Sequence, residues 1–303
     1  MVVCPGEKMN IAAVFPGQAS MNVSLARTLL HRSKNVQKYV SFSSSILNYS
    51  FEECILHEPK QLRKTSLLQP LMTAISIGAF EDMSIPVDFL LGLSLGEIAA
   101  LSAAGVLSPF DAIRLSSVRG KLMYESAIKN QGGMLAVRGT EDFCSEVLAY
   151  GSQFGSIVCA ANYGDREKIL SGDHQAIEEI EQKYNVRRLP VSGAWHSPLM
   201  RDAQRELQDY ISSIPFQNAK TPIVMNSSGS LTQDARQIQK NIVSQLTEPM
   251  LWKKSLDIFA RKTLFLTIGF HTVTGKLIQR NVRHPVLPAT SKSAIKALLR
   301  KNE

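Results

Sequence analysis

The chain has 303 residues, 44% of them hydrophobic and 20% charged, which is typical of a folded protein of one or two domains and excludes wholesale disorder. No run of about 18 apolar residues occurs, so a membrane-spanning helix is also excluded. The formal net charge of +8 is concentrated in residues 251–303, which carry 11 basic and two acidic side chains. This basic region predicts an anionic partner, the alternative being a solvated helix face with a loose C-terminus.

The first third of the chain predicts alternating strands and helices. Asn10–Phe15 is a short apolar run that predicts a buried strand, which Pro16 and Gly17 end. Apolar spacing predicts a helix over 66–83, and a second apolar run over 88–93 predicts a buried parallel strand. Two more helices follow from their end signals, over 95–104 before Gly105, and over 109–127 after a Ser-Pro pair.

The middle third predicts a small α+β unit inserted into the chain. Its elements follow the order βαββαβ, which is typical of a ferredoxin-like unit that closes its own sheet. They are predicted over 134–138, 141–150, 156–162, 168–170, 173–184 and 187–191. Beyond it we expect a helix over 197–212 and buried strands over 221–226 and 263–269. The sequence therefore predicts an α/β domain interrupted by a small lobe.

The cysteines and the first residues bear on the compartment. Cys4, Cys54, Cys144 and Cys159 are scattered without metal-binding or redox spacing. The first 15 residues lack the charged and apolar regions of a secretory signal. We therefore expect a cytoplasmic protein with reduced cysteines and no metal.

A GxSxG pentapeptide over 92–96 stands between a predicted buried strand and a predicted helix. The two glycines allow a sharp turn that lifts the Ser94 hydroxyl clear of the sheet. The helix N-terminus and the N–H of Leu95 then point at an oxyanion formed on that serine. This context favours a nucleophile over an incidental serine in a turn.

A nucleophilic serine needs a base, and the sequence offers six histidines. His196 lies between a predicted strand and a capped helix, where a side chain can reach a cleft. His271 is the rival, because an α/β-hydrolase places its catalytic histidine late in the chain. By position in the sequence, His196 is the best of the six candidates for the base, and position gives no further evidence that it is catalytic.

Arg119 and Gln18 are candidates for binding charge. Arg119 lies on a predicted helix where no residue three or four positions away is acidic, so a buried guanidinium there needs an anion. A snorkelling side chain or a distant structural acid is the alternative. Gln18 follows the first strand, at an edge where open α/β sheets place their sites.

Six motifs in order resemble those of the malonyl-CoA:acyl-carrier-protein transacylase family, including free-standing acyltransferases of polyketide assembly lines. Ser94 and Arg119 are also separated by the 25 positions of the family pattern. The motifs are FPGQ (15–18), LLQP (67–70), GLSLGE (92–97), VRGKLM (118–123), LPVSGAWHSPLM (189–200) and QLTEPMLW (245–252).

The resemblance implies a role for each matching residue. Ser94 is the nucleophile, His196 is the general base and acid, and the backbone carbonyl of Gln245 orients its imidazole. Gln18 and the Leu95 N–H form the oxyanion hole. Arg119 binds the free carboxylate of the extender unit. The other substrate-binding residues implied are Gln69, Met123, Asn162, Leu93 and Trp195.

The resemblance also implies the fold, the substrates and the partners. An α/β-hydrolase-like core, residues 1–129 and 199–303, carries an inserted ferredoxin-like (βαββαβ) subdomain, residues 130–198. Malonyl passes from malonyl-CoA through a Ser94 ester to the phosphopantetheine thiol of an acyl carrier protein. We expect no bound cofactor, no metal, and no nucleic-acid or membrane partner.

Several positions depart from the family pattern. Leu93 replaces a histidine before the nucleophile, Trp195 replaces Phe or Ser beside His196, and Ala19 replaces a glycine. The segment 267–270 replaces a Glu-x-Gly-Pro motif. These departures lead to the hypothesis of a pathway-dedicated enzyme. Three alternatives stay open: a modified extender taken from a carrier-protein donor, an editing acyl hydrolase, and an inactive docking subunit.

Overall fold

The computed structural model describes residues 9–259 and 262–300, which form two β-sheets covered by helices. The strands in that part of the chain are β1 (Asn10–Phe15), β2 (Phe89–Gly92), β3 (Gly132–Arg138), β4 (Ile157–Asn162), β5 (Glu167–Asp173), β6 (Arg187–Arg188), β7 (Ile223–Met225), β8 (Ser230–Thr232), β9 (Thr263–Thr267) and β10 (Val286–Pro288).

One or more helices lie between successive parallel strands along the chain, as a parallel sheet requires. They are α1 (Val23–Arg32), α2 (Lys34–Leu47), α3 (Phe51–His57), α4 (Thr65–Glu81), α5 (Gly96–Ala103), α6 (Pro109–Lys129), α7 (Glu141–Gly151), α8 (His174–Lys183), α9 (Arg201–Ser212), α10 (Ala235–Ser244), α11 (Trp252–Asp257), α12 (Thr272–Gln279) and α13 (Lys292–Arg300).

The larger sheet has the strand order β10-β9-β1-β2-β7-β8 and is parallel except for β8. β1 is central, and its residues alternate between the two faces of the sheet. Ile11, Ala13 and Phe15 join the main apolar cluster, whereas Ala12 and Val14 join a second cluster on the opposite side. All five are buried, because helices cover both faces. The predicted α/β fold is confirmed.

The smaller sheet is antiparallel, with the strand order β4-β5-β3-β6. Helices α7 and α8 pack against it around a separate apolar cluster that includes Val147 and Ile177. Met250 ties this sheet to the rest of the molecule, since its N–H donates to the Ala160 carbonyl and its own carbonyl accepts the Asn162 N–H.

Most predicted elements are confirmed, and the differences have physical reasons. The strand predicted over 187–191 is limited to Arg187–Arg188 and one further hydrogen bond, from the Leu189 N–H to the Met134 carbonyl, because Pro190 has no N–H to continue the ladder. The strand predicted over 221–226 is limited to Ile223–Met225. The helix predicted over 197–212 begins as a 3-10 turn, Pro198–Met200, before α9.

Residues 9–259 and 262–300 bear on the expectations about membrane helices, metal sites and cysteines. No helix there is both long and apolar enough to cross a membrane. The same residues contain no group of three or more His, Cys, Asp or Glu side chains arranged to hold a metal. Cys54, Cys144 and Cys159 are free thiols, and Cys4 lies outside the described residues.

Candidate active site

The GxSxG segment forms a tight turn between β2 and α5. Ser94 adopts a left-handed backbone with φ of 51°. A Cβ atom at Gly92 would overlap the backbone of Gly96 and Glu97, and one at Gly96 would overlap the carbonyl of Phe15. Both glycines are therefore required by the close approach of α5 to the strand ends.

Asn226 holds this turn from the end of the neighbouring strand β7. Its side-chain oxygen accepts the Ser94 N–H at 2.7 Å, and its side-chain nitrogen donates to the Gly92 carbonyl at 2.7 Å. The side chain is fully buried. Sequence reasoning missed Asn226, although its place at the end of a predicted strand was a usable signal.

His196 lies beside Ser94, although 102 positions separate them in the sequence. Its Nε2 is 2.9 Å from the Ser94 Oγ, and its Nδ1 is 2.6 Å from the backbone carbonyl oxygen of Gln245. Because a carbonyl only accepts, Nδ1 carries the proton and Nε2 is free to accept the serine proton. Burial, with a smaller contribution from the Arg119 charge, lowers the pKa of His196 to about 4, so the imidazole is neutral near pH 7.

Arg119 is the one large cation of α6 that is buried, at 1% exposure. Its Nη1 donates to the Gln69 side-chain oxygen at 2.7 Å, and its Nη2 donates to the Gln245 side-chain oxygen at 2.8 Å. Its Nε has no hydrogen-bond partner among the described residues. Burial lowers the pKa of Arg119 to about 10, yet it is charged at neutral pH. The guanidinium thus meets two neutral acceptors and can still take an anion.

A chain of polar side chains connects Arg119 to Gln18. The Gln69 amide nitrogen donates to the Thr65 hydroxyl at 2.8 Å and approaches the Met123 sulfur at 3.3 Å. The Thr65 hydroxyl in turn donates to the Gln18 side-chain oxygen at 3.2 Å. Gln69 therefore contacts both the buried cation and Met123, whereas Thr65 is a member of the chain that sequence reasoning missed.

Two backbone N–H groups beside the nucleophile have no intramolecular acceptor among the described residues. They belong to Leu95, at the N-cap of α5, and to Gln18, at the start of a 3-10 turn. The two loops touch, since a Cβ at Gly17 would lie 2.8 Å from the Leu93 carbonyl oxygen. Free N–H groups at such a place are suited to stabilising an oxyanion on a Ser94 adduct.

The other candidate residues are less closely tied to Ser94. Leu93 is buried in the second apolar cluster, and Trp195 is buried in the main cluster with no partner for its indole nitrogen among the described residues. The Asn162 side-chain oxygen accepts the Gly164 N–H at 3.1 Å. His271, the rival histidine, precedes α12 and makes no hydrogen bond to Ser94.

Glu97 is the third residue of the site that sequence reasoning missed, although the GLSLGE motif includes it. Its side chain is fully buried, and its two oxygens accept the Asn226 N–H and the Gln245 side-chain N–H. Burial raises the pKa of Glu97 to about 8, while both hydrogen bonds and the Arg119 charge oppose that rise. A buried carboxyl group thus lies beneath the serine, the histidine and the arginine.

Comparison with known proteins finds relatives that match nearly the whole chain. The sequence profile described as "acyl transferase domain" matches residues 13–302. The malonyl CoA-acyl carrier protein transacylase of Bacillus subtilis (strain 168) is 28% identical over 97% of this chain and 98% of its own length. That of Staphylococcus aureus (strain COL) is 29% identical over 89% of this chain and 91% of its own length.

Solved structures agree. The malonyl CoA-acyl carrier protein transacylase of Coxiella burnetii superposes with a TM-score of 0.88 at 25% identity, covering 97% of this chain and 98% of that protein. A malonyl-transacylase solved in complex with a type II polyketide acyl-carrier protein superposes with a TM-score of 0.84 at 26% identity, covering 91% and 94%. The chain belongs to the acyl transferase domain family.

Proposed function

We propose that this protein is a malonyl-CoA:acyl-carrier-protein malonyltransferase that carries the malonyl group as an ester on Ser94. The observation that carries this proposal is the pairing of a serine–imidazole contact of 2.9 Å with a buried arginine whose two terminal nitrogens meet only neutral acceptors. The first arrangement makes a nucleophile, and the second selects an acyl group with a free carboxylate.

The first half-reaction forms the acyl-enzyme. The Ser94 hydroxyl attacks the thioester carbonyl of malonyl-CoA while His196 Nε2 accepts its proton. The negative oxygen of the tetrahedral intermediate is stabilised by the free N–H groups of Leu95 and Gln18. The intermediate then breaks its carbon–sulfur bond, and His196 returns the proton to the departing CoA thiolate.

The second half-reaction reverses these steps with a new thiol. The phosphopantetheine thiol of an acyl carrier protein gives its proton to His196 and attacks the Ser94 ester. The ester carbon–oxygen bond breaks, and the serine oxygen regains the proton from His196. Because one imidazole serves both halves and the donor leaves before the acceptor enters, the kinetics are ping-pong.

Arg119 supplies the selectivity for malonyl. A guanidinium binds a carboxylate through two parallel charge-assisted hydrogen bonds, and removal from water strengthens them. Gln69, Met123, Asn162, Leu93 and Trp195 line the remainder of the acyl pocket. The bulk of Trp195 disfavours branched extenders, and Leu93 removes a polar group from the pocket.

The same proposal divides the chain into two lobes. Residues 1–129 and 199–303 form the α/β-hydrolase-like core, and residues 130–198 form the ferredoxin-like subdomain. The antiparallel order β4-β5-β3-β6 and the two helices against that sheet support this division. The substrates meet in the cleft between the lobes, in the cytoplasm.

The basic region, residues 251–303, supports the choice of substrates. CoA carries phosphates, and an acidic carrier protein also approaches faster when its partner is positively charged. Neither substrate requires a bound cofactor in the enzyme, because the thioester itself provides the activated acyl group.

Intact-mass spectrometry of the full chain tests the proposal. We expect malonyl-CoA to add one malonyl group to the wild type and a phosphopantetheinylated acyl carrier protein to remove it as malonyl carrier protein. Ser94→Ala should show no adduct, whereas the exposed control Ser24→Ala should behave as the wild type. Free malonate in place of loaded carrier would identify an editing hydrolase, and no adduct from any CoA donor would point to a carrier-protein donor or a docking subunit.

A further inference from the structure

The Glu97 carboxylate joins three parts of the site through hydrogen bonds. One oxygen accepts the backbone N–H of Asn226, whose side chain holds the Ser94 turn. The other oxygen accepts the side-chain N–H of Gln245, whose backbone carbonyl holds His196. Glu97 touches neither the serine hydroxyl nor the imidazole, so any influence on the reaction passes through its partners.

These hydrogen bonds run in one direction. Arg119 donates to the Gln245 side-chain oxygen, and the Gln245 side-chain nitrogen donates to Glu97 and, at 3.2 Å, to the backbone carbonyl of Ser94. An amide side chain has one accepting and one donating end, so its orientation is fixed by what lies at each end. An ionised carboxylate only accepts, and together with the Ser94 carbonyl it keeps the accepting end of Gln245 toward Arg119.

We propose that Glu97 is a positioning residue that fixes the orientation of the Gln245 side chain and thereby holds Arg119 in place for the carboxylate of the acyl group. This inference rests on the malonyl transfer proposed above. It assigns selectivity to a carboxylate that contacts no substrate, with Gln245 as the connection.

Replacing or protonating the Glu97 carboxylate would reverse the direction of the hydrogen bonds that run from Arg119 through Gln245. In Glu97→Gln, the new side-chain N–H would face the backbone N–H of Asn226 or the side-chain N–H of Gln245, both of which are donors. The Gln245 amide would then rotate to accept, and its nitrogen would face the Arg119 cation. Two donors facing each other in a buried site are costly, so the guanidinium would leave its position.

The charges around Glu97 allow this protonation to be isolated. Glu97 is fully buried, and the charged or titratable groups acting on it and on its partners are Arg119 and His196. Burial raises the pKa of Glu97 to about 8, whereas it lowers that of His196 to about 4 and that of Arg119 to about 10. Glu97 therefore changes charge in a range where the other two do not.

The test compares malonyl-CoA with acetyl-CoA as donors to Ser94. The nucleotide and the thioester are the same in both, so titration of the CoA phosphates and of His196 cancels in the ratio of acylation rates. At about pH 9, where Glu97 is ionised in the wild type, we expect Glu97→Gln to lower the malonyl-to-acetyl ratio by about tenfold or more, as loss of a charge-assisted hydrogen bond does. Glu125→Gln, an exposed glutamate of α6, is the matched control and should leave the ratio unchanged.

The pH profile of the wild type tests the same inference without a variant. We expect the malonyl-to-acetyl ratio to rise as Glu97 ionises, between about pH 6.5 and pH 9. In Glu97→Gln the ratio should stay low and flat over that range. Circular dichroism of each protein would identify a variant that fails to fold.

Two results would overturn the inference. One is a folded Glu97→Gln protein whose malonyl-to-acetyl ratio equals that of the wild type at every pH up to about 9. The other is a folded Glu97→Gln protein that loses malonyl and acetyl loading equally, which would reduce Glu97 to a structural residue. Absence of any malonyl ester on wild-type Ser94 would instead refute the proposed function, so the two failures are distinguishable.

Discussion

Ser94 and His196 both adopt left-handed backbones, with φ of 51° and 57°, and their side chains meet at 2.9 Å between Oγ and Nε2. Left-handed φ is uncommon for residues other than glycine and costs about 1 kcal/mol or more. Of the four such non-glycine residues among those described, two are therefore the partners of one contact. The surrounding fold stabilises both, Ser94 through Asn226 and His196 through Gln245.

The low pKa of His196 predicts an acylation rate that changes little in the neutral range. The folded-state pKa of about 4 lies below the usual value, so the imidazole stays in its active neutral form down to about pH 5. We expect acetyl-CoA acylation of Ser94 to fall roughly tenfold per pH unit only below about pH 4. Single-turnover rates with circular dichroism at each pH would measure this, and a fall that begins near pH 6.5 would contradict it.

Removal of the buried cation should change donor selectivity. We expect Arg119→Ala to weaken malonyl acylation relative to acetyl acylation by about 2–5 kcal/mol, the range for truncating one partner of a desolvated charge pair. Arg119→Lys should recover only part of this lost selectivity, because a single ammonium cannot form two parallel hydrogen bonds. Arg114→Ala removes an exposed arginine of the same helix, paired with Asp111, and serves as the control. An unchanged ratio in Arg119→Ala would make Arg119 structural.

A methyl group at Gly92 should disrupt the nucleophile turn. Its Cβ would overlap the backbone of Gly96 and Glu97, which belong to a helix and cannot move like a side-chain end. We expect Gly92→Ala to lower the free energy of unfolding by more than about 3 kcal/mol and to abolish acylation. Gly275→Ala lies within α12, and its Cβ would have no neighbour nearer than 3.8 Å, so it should leave urea unfolding unchanged or raise stability by up to about 1 kcal/mol. Equal stability of the two variants would show that the turn relaxes freely.

Loss of the Asn226 side chain should affect both donors alike. The Ser94 N–H and the Gly92 carbonyl would lose their partners, while Arg119 keeps both of its own. We expect Asn226→Ala to slow malonyl and acetyl acylation of Ser94 by about the same factor, roughly tenfold to a hundredfold. Asn35→Ala, which removes an exposed hydrogen bond to Asp82, is the matched control. A change confined to malonyl would instead connect Asn226 with Arg119.

Much of this protein can be predicted from local sequence, because local physics decides it. The continuous apolar run of Asn10–Phe15, the Ser108 cap of α6 and the glycines around Ser94 each depend on residues a few positions apart. The short edge strands β8 and β10 were not predicted, since three residues give no clear period and their pairing depends on distant partners.

The sequence by itself determined the nucleophile turn, the order of the motifs and the α/β class. Only the tertiary structure decided which groups contact each other: the imidazole contacts the Gln245 carbonyl, the guanidinium lies between two glutamines, and Glu97 lies beneath them. The physical reason is that these hydrogen bonds join residues 49 to 148 positions apart, and such contacts depend on how helices and strands pack. Burial then set the pKa values of His196, Arg119 and Glu97, and burial is a property of the folded chain alone.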